Sequence, residues 1–470
     1  MPRPVSNPQP NPARPAPAFL LAVALGILLA SALHAQDFSH PDTRPDPLAA
    51  PIPQANDALA ASDFPTALKI LTNLNTQTPN NPQVLYDLGL TLEALDNPSP
   101  TAANALTPES CYRQAIAASP TFAAPHVALG LLLARTDRPA EARSQLTTAT
   151  TLPSIEPALK ARAFRALARL DLNGDSADSP PNLTAASDAL LAAIKLTSEL
   201  PEDVLLAAEI AEASADLPAA ESAYRRYLAL PEGAADPQAI ASLAHVLLAQ
   251  HHPAEAEALL APALAQSPGN PSFTAQLAEA YVDSGDAAKT AQAVPLVESL
   301  HAKIPGDPNV TRLLARVYLE TGHPDWADPL YASLLTAQAD HPDPTLLDDR
   351  AETLLRLHRP AEAEKLLKQA VANPAAFPTS AALADAATHL AFAAEEIDDP
   401  RTTLQALSLR ATVQPPSPSS LFLEATANDE LHQNTRAVDL YKKFLAAAGG
   451  DFPDQASQAR QRLAALEHAK

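Results

Sequence analysis

The chain has 470 residues, of which 47% are apolar but only 4% aromatic, and its formal net charge is −22. Because one packed core seldom grows past about 250–300 residues, this length predicts either several domains or a repeat array. Nucleic acids and anionic membranes are bound through clustered Lys and Arg, so the charge argues against both as partners. An acidic surface of this kind makes copies of a soluble protein repel one another, which keeps the protein in solution.

The kinds of apolar residue favour helices. Most are Ala and Leu, glycine is scarce with 11 residues, and proline is abundant with 48. Small and unbranched side chains suit closely packed helices and fit sheets poorly. The single cysteine, Cys111, falls on an apolar helix face beside Tyr112. It cannot form an intramolecular disulfide, and we expect it to be a buried small hydrophobe.

The N-terminal segment, residues 1–35, has the pattern of a secretory signal peptide. Two arginines precede an apolar run, and small residues then allow cleavage after Ala35 or Ala32. The run is shorter than the ~20 residues that a membrane-spanning helix needs, and no cysteine marks a lipoprotein. We therefore expect residues 36–470 to be periplasmic or secreted, with no membrane insertion after cleavage; the alternative is an uncleaved N-terminal anchor. Residues 36–49 are expected to form a Pro-rich linker.

A short phrase recurs along the rest of the chain. Its copies are RPAEA at 138–142 and 359–363, HPAEA at 252–256, and looser versions at 64–67, 217–220 and 323–327. A Leu or Tyr stands four residues after the last Ala of each copy, and a small residue stands upstream of it. The small residues lie at 55, 89, 130, about 166, 208, 244, 278, 315, 351, 391 and 425. Their spacing predicts eleven helix–turn–helix units.

Prolines occur at two regular places in this pattern. One class stands in the first turn of each second helix, where a missing N–H costs little; its members are Pro65, Pro139, Pro218, Pro253, Pro324, Pro360 and Pro400. A second class follows the second helix and stops it; its members are Pro79, Pro120, Pro268, Pro305 and Pro415. Apolar residues recur with a helical period between these prolines, so the sequence predicts an all-α fold without a β-sheet.

The units resemble the tetratricopeptide repeat. In the best unit, the residues that match the family pattern are Leu243, Ala244, Leu247, Ala256, Leu260, Ala263 and Pro268. The resemblance covers about 50–450 and implies an α-solenoid, a right-handed superhelix of about eleven repeats that binds proteins. Residues 451–470 include a charged amphipathic helix, which we expect to cap the apolar face of the last repeat.

Two units depart from the pattern. Extra residues near 97–106 separate the helices of the second unit, where Pro108 takes the place of the second-helix Ala, and a polar segment at 173–182 interrupts the fourth unit. Insertions in repeat proteins often gather on a binding face. A tolerated surface spacer is the alternative, and we favour it.

Patterns that would indicate catalysis are missing from the sequence. It contains no GxxxxGK[ST], GxGxxG, GxSxG or HExxH motif. The closest histidines, His245, His251 and His252, are expected to be solvated rather than metal ligands. The adjacent carboxylates of Glu395 and Glu396 point different ways on a helix, which does not suit an acid–base pair. We therefore predict a protein that is not an enzyme and has neither a metal nor a cofactor.

In the family, a concave groove lined by first helices holds the partner. The matching positions in units eight to eleven are Arg312, Arg316, Asp348, Glu352, Asp385, Phe392, Glu395, Glu396, Phe422, Asp429 and Glu430. Chaperone-binding members hold a C-terminal carboxylate with Lys and Asn residues of three successive repeats, a set that this chain lacks. Arg312 and Arg316 are the only clustered cations that this mapping places in the groove.

The acidic groove, with Phe392 and Phe422 as apolar anchors and Arg356 as the one cation near units nine to eleven, predicts a basic and partly apolar protein or peptide as partner. The alternative is that the acids only keep the array soluble. The resemblance to the tetratricopeptide repeat and the signal-peptide pattern together imply an interaction scaffold of the bacterial cell envelope. The alternatives are a non-catalytic accessory subunit of an envelope enzyme or of a secretion or cell-wall assembly machine, and a cryptic enzyme.

Overall fold

The computed structural model of the protein describes residues 51–95, 106–174 and 179–468. The predicted signal peptide, the linker and most of the first insertion lie outside these residues. Within them the regular structure is helical, with 23 α-helices, one short 3₁₀ helix at Pro374–Ala376 and no β-strand. The predicted all-α fold is therefore confirmed. None of the described helices is both long and apolar enough to cross a bilayer.

The helices form eleven consecutive hairpins, each made of a first and a second helix, followed by a single last helix. Their bounds are α1 Pro51–Ala60, α2 Phe64–Gln77, α3 Pro82–Ala94, α4 Pro108–Ala118, α5 Ala123–Arg135, α6 Pro139–Thr151, α7 Pro157–Asn173, α8 Leu183–Leu196, α9 Pro201–Ala213, α10 Leu217–Leu228, α11 Pro237–Ala249, α12 Pro253–Gln266, α13 Pro271–Asp283, α14 Ala287–Lys303, α15 Pro308–Glu320, α16 Pro324–Ala337, α17 Pro344–Arg356, α18 Pro360–Ala370, α19 Ser380–Glu395, α20 Pro400–Ala411, α21 Pro418–Glu430, α22 Asn434–Ala447 and α23 Pro453–His468.

Proline begins helices of both kinds. The second-helix prolines stand in the first turn as predicted, for example Pro139 of α6 and Pro360 of α18. Most first helices also begin with proline, a use that the sequence interpretation missed. The side chain before that proline often accepts backbone N–H groups and so satisfies the helix start; examples are Asn81, Asp236, Asn270, Asp307 and Asp343.

In nine of the eleven hairpins the described turn contains one residue with left-handed backbone geometry. Gly285 and Gly322 supply it in the seventh and eighth hairpins, with φ of 67° and 81°. Elsewhere the residue has a side chain, as with Ala215 at φ 56° and His358 at φ 56°. A side chain in this region costs about 1–2 kcal/mol relative to glycine, so the tight turns are held at some expense of stability.

Small residues let the two helices of a hairpin cross closely. A Cβ added to Gly89 would lie 2.5 Å from Tyr112 Cε1, and one added to Gly130 would lie 2.6 Å from Leu146 Cγ. Both partners are the large second-helix residues that the pattern predicts. In the fourth hairpin the small first-helix residue that is buried against the second helix is Ala168, which lies in one cluster with Ala186 and Leu190.

The predicted small residue near 166 is therefore misplaced by two positions. Ala166 is half-buried, whereas Ala168 is fully buried. The reason is that α7 has 17 residues rather than the 13 of most first helices. Its additional turn and the polar segment that follows it disturb the spacing from which the position was predicted.

The repeated phrase RPAEA forms the same ion-pair clip in both places where it occurs in full. Arg138 donates from Nε and Nη2 to the two oxygens of Glu141, both at 2.8 Å, and from Nη1 to Glu109 of the preceding second helix at 2.9 Å. Arg359 repeats this arrangement on Glu362 and on Asp328 of the preceding second helix, at 2.6–2.9 Å. The arginine of this motif thus links its hairpin to the preceding hairpin through an ion pair.

Backbone packing divides the chain into two compact units, residues 1–232 and 233–470, which we call the N-terminal unit and the C-terminal unit. In the N-terminal unit α5 packs between α3 and α7, and α7 packs against α9. In the C-terminal unit α13 packs between α11 and α15, and α19 between α17 and α21. Consecutive first helices thus share a surface in each unit, which we call its first-helix face.

The last helix, α23, covers the end of the C-terminal unit. Ala456, Ala459 and Leu466 are buried in one apolar cluster with Phe444 and Tyr441 of α22. The exposed apolar side of a terminal hairpin needs such a cover. The predicted capping helix is therefore present.

Candidate protein-binding face

The predicted groove cations of the eighth hairpin are bound by neighbouring helices. Arg312 donates from Nε to Asp349 Oδ2 at 2.7 Å and from Nη1 to Asp343 Oδ2 at 3.2 Å. Arg316 donates from Nη2 to Asp283 Oδ1 at 2.6 Å. Both arginines therefore fasten adjacent hairpins of the C-terminal unit together, and their charges are already neutralised.

The predicted acids of the ninth hairpin are paired as well. Glu352 accepts a hydrogen bond of 2.6 Å from Arg356, whose guanidinium also reaches Glu320 at 3.3 Å. Asp348 Oδ1 accepts from Nδ1 of His389 in the next first helix at 2.8 Å. Burial alone would lower the pKa of His389, but Asp348 and its acidic neighbours raise it above its ordinary value. A partner would have to displace these contacts to use either acid.

Two predicted groove residues of the eleventh hairpin belong to the core. The ring of Phe422 is 9% exposed and lies 5.1 Å from that of Phe444. Asp429 is 7% exposed and accepts two hydrogen bonds from Arg462 of the last helix, at 2.7 and 2.8 Å. The capping helix covers this side of α21, so neither side chain is available to a partner.

The other predicted residues remain free on the first-helix face. Phe392 is 38% exposed. Around it stand Glu395 and Glu396 at the end of α19 and Glu430 at the end of α21, all exposed and without an ion pair or side-chain hydrogen bond among the described residues. Asp385 lies exposed on α19, two turns before Phe392.

A further acid, Asp398, joins this group from the turn after α19. The sequence interpretation missed it because it lies outside the helix positions that the family pattern uses. Partial burial, together with Glu396 and Asp398, raises the pKa of Glu395. Partial burial and the charges of Asp398 and Glu395 likewise raise the pKa of Glu430. We call Phe392, Glu395, Glu396, Asp398 and Glu430 the acidic patch; its carboxylates repel one another, so a cation placed among them would be stabilised.

The first-helix face of the N-terminal unit holds cations that the sequence interpretation missed. With Ala168 as the small residue of the fourth hairpin, Arg162, Arg165 and Arg169 follow each other at spacings of three and four along one side of α7. Arg312 and Arg316 are therefore not the only clustered cations at first-helix positions. The predicted register was shifted by two residues, so it placed the three arginines outside the groove positions of the family pattern.

One segment of the chain matches a known protein family. Residues 247–289 match the family model of the tetratricopeptide repeat. That segment contains the turn and second helix of the sixth hairpin and part of the seventh, and the other hairpins have the same two-helix form. Residues 247–289 thus have the sequence of a tetratricopeptide repeat, and they lie within a row of hairpins of the same two-helix form. Repeats of this kind serve as scaffolds for protein–protein interaction.

The chain is also similar to solved structures. A tetratricopeptide repeat protein from Parabacteroides merdae is 14% identical, with 57% of this chain and 98% of that chain covered and a TM-score of 0.38. Pseudomonas aeruginosa pilF is 15% identical over 47% of this chain and 96% of that chain, with a TM-score of 0.40. The APC/C hetero-tetramer Cut9–Hcn1 is 12% identical over 88% and 86%, with a TM-score of 0.42. No curated protein matches the chain.

No group of three or more His, Cys, Asp or Glu side chains within the described ranges is arranged to hold a metal ion. The cysteine, Cys111, is fully buried, and burial raises the pKa of its thiol to about 11. A thiol that stays protonated is a poor nucleophile. The candidate site is thus a surface of charges and one aromatic ring.

Proposed function

We propose that the protein is an interaction scaffold of the bacterial cell envelope and that its C-terminal unit binds a basic, partly apolar segment of a partner protein at the acidic patch. The proposal rests on one observation: some of the charged side chains on the first-helix face already have ion-pair partners within the protein, and others do not. Arg312, Arg316 and Asp348 are bound by neighbouring helices, and Glu352 is bound by Arg356 of its own helix, whereas the acidic patch has no cation of its own among the described residues.

The chemistry of the patch favours a segment with both charge and apolar surface. Lys or Arg side chains would relieve the repulsion among the carboxylates of Glu395, Glu396 and Glu430. The exposed ring of Phe392 offers an apolar contact and a face for a cation. Export rests on the signal-peptide pattern of residues 1–35.

The proposal is tested with a labelled peptide in which Lys and Leu alternate, titrated with the full chain at low salt. Reversing both Glu395→Lys and Glu396→Lys should weaken binding about tenfold, since two exposed ion pairs worth up to about 1 kcal/mol each are lost and replaced by repulsion. Phe392→Ala should weaken it about threefold through the lost apolar contact.

The matched control reverses two exposed acids outside the first-helix face, Asp340→Lys and Asp439→Lys, which changes the net charge equally. This variant should bind the peptide nearly as well as the wild type. Equal losses in the two double variants would show that the peptide responds only to the net charge, and the assignment of the patch would then fail. Circular dichroism checks that the helical content is unchanged.

A further inference from the structure

The chain has a single tryptophan, Trp326, and it lies on the surface of the C-terminal unit. It stands in the first turn of α16 and is 48% exposed. Its ring stacks on that of His323, with the ring centroids 4.4 Å apart and 12° between the planes. The backbone N–H of Trp326 donates to the carbonyl of His323 at 3.0 Å. The indole is thus held in place while about half of the residue stays open to solvent.

A tyrosine of the first helix completes the group of rings. The ring of Tyr318 in α15 lies 5.3 Å from that of Trp326, with 80° between the planes. Tyr318 is half-buried against the apolar core of the seventh and eighth hairpins. We call Tyr318, His323 and Trp326 the aromatic cluster. Because its rings are already fixed by one another, a partner that contacts the indole has little side-chain freedom to remove, which favours binding.

Two carboxylates border the aromatic cluster without a cation. The Tyr318 hydroxyl donates to Glu298 Oε1 of α14 at 2.8 Å. Partial burial and the Glu298 carboxylate raise the pKa of Tyr318 to about 12, so the hydroxyl keeps its proton and holds that carboxylate against the cluster. Asp325 directly precedes Trp326 and is exposed. Neither acid forms an ion pair within the described ranges.

We infer that the aromatic cluster and Glu298 dock an arginine side chain of a partner protein. The guanidinium stacks on the exposed surface of the Trp326 indole, the aromatic side chain that gives the strongest cation–π contact. Its N–H groups pair with Glu298, and Asp325 adds negative potential. The site is built by α14, α15 and α16, so it is separate from the acidic patch and does not depend on it.

The shape and charge of the site favour arginine over other occupants. A guanidinium is planar and weakly hydrated, whereas the ammonium of lysine is compact and strongly hydrated and does not stack. A neutral sugar can lie on an indole but gains no ion pair from Glu298. A purely apolar segment would cover the two carboxylates without pairing them, which costs free energy. The net charge of −22 attracts the cation as well.

The test uses the full chain and a peptide in which Arg and Gly alternate, at about 0.15 M salt, where exposed charges more than about 8 Å apart are largely screened. Since the chain has one tryptophan, its fluorescence reports contact at this ring alone. The Arg–Gly peptide should change the fluorescence of Trp326 saturably, and a matched Lys–Gly peptide should bind about threefold more weakly.

The role of the carboxylate is tested with the same signal. Glu298→Gln keeps an oxygen that accepts from the Tyr318 hydroxyl but removes the charge, and it should raise the Kd about threefold. The matched control is Asp439→Asn, which removes one charge at an exposed position of the eleventh hairpin. It should leave the Kd within about 1.5-fold.

The contribution of the indole is measured with a labelled Arg–Gly peptide by fluorescence anisotropy, because Trp326→Leu abolishes the intrinsic signal. Both proteins compared carry Glu395→Lys and Glu396→Lys, so that the acidic patch does not bind the peptide. In this background Trp326→Leu should raise the Kd about fivefold. Circular dichroism of each variant checks the fold.

Three results would overturn the inference: no saturable change of the Trp326 fluorescence, equal Kd values for the two peptides, or an unchanged Kd in Trp326→Leu. A fluorescence change with a neutral oligosaccharide of N-acetylglucosamine but not with the Arg–Gly peptide would also overturn it and would make the cluster a carbohydrate site. Reversal of Glu395 and Glu396 should leave the Kd detected through Trp326 within about twofold, so this inference and the proposed function can fail separately.

Discussion

Tyr224 of α10 donates a hydrogen bond of 2.5 Å to the carboxylate of Glu212 at the end of α9 and so joins the two helices of the fifth hairpin. The second hairpin has the same link between Tyr112 and Glu93 at 2.7 Å. In both, the tyrosine ring fills the space beside the small residue while its hydroxyl reaches the far end of the first helix. Each of these tyrosines thereby contributes both apolar packing and a hydrogen bond between the two helices of its hairpin.

The contribution of this hydrogen bond can be measured at Tyr224. Tyr224→Phe keeps the ring and removes the hydroxyl, and it should lower the free energy of unfolding by about 1 kcal/mol. Tyr331 is equally buried, but its hydroxyl has no hydrogen bond in the described residues, so Tyr331→Phe is the matched control and should cost less. Urea unfolding monitored by circular dichroism gives both values. Equal losses would mean that the bond to Glu212 contributes nothing.

The left-handed turn residues predict opposite effects of two exchanges. Ala215→Gly should stabilise the protein by about 1 kcal/mol, because the alanine stands at φ 56°. Gly285→Ala should destabilise it by about the same amount, since φ is 67° there and no heavy atom would lie within 4 Å of the added Cβ. Thermal unfolding of both variants tests this. Changes of the same sign would contradict the assignment of the effect to the backbone.

Asp87 makes stability depend on pH. It is 5% exposed, its two oxygens accept from Nε2 of Gln83 at 2.9 and 3.0 Å, and burial raises its pKa to about 7. An acid whose pKa is raised by folding stabilises the folded state below its unfolded pKa, and this contribution is lost as the pH rises through the folded value.

Asp87→Asn retains the hydrogen bond to Gln83 and cannot ionise. It should be roughly 1–3 kcal/mol more stable than the wild type at about pH 8 and nearly equal to it at about pH 4. The measurement is urea unfolding of the two proteins across this range, with only their difference interpreted, because the remaining acids titrate in both. Parallel curves would show that Asp87 is already ionised without penalty.

The signal-peptide interpretation predicts that the mature chain begins near Gln36. N-terminal sequencing of protein recovered from the periplasm or the medium of an expressing bacterium decides this. Recovery of the intact chain in the membrane fraction would instead support the N-terminal anchor.

Much of the fold could be predicted because its signals are local. The prolines of the second helices and the small residues opposite Leu146 and Tyr112 act within one hairpin, so their spacing reveals each unit. The register of α7 could not be predicted, because its additional turn and the polar segment that follows it change the spacing on which the prediction depends. The burial of Ala168 rather than Ala166 is decided by contacts with the following helix.

The site was predicted less completely, because pairing depends on neighbouring hairpins. The family pattern places Arg312 and Asp429 on the first-helix side. It does not include Asp349 of the next hairpin, which binds Arg312, nor Arg462 of the capping helix, which binds Asp429. Such partners lie more than thirty residues away in sequence, and only the packed helices bring them together.

The clips formed by Arg138 and Arg359 also bear on how such an array can grow or shrink during evolution. Each clip needs an arginine in one hairpin and an acid, Glu109 or Asp328, in the hairpin before it. A duplication or deletion that moves the later hairpin alone leaves the arginine without its distant acid, and only the bond within its own helix survives. Hairpins joined in this way are therefore favoured to be inherited as adjacent pairs, with their order preserved.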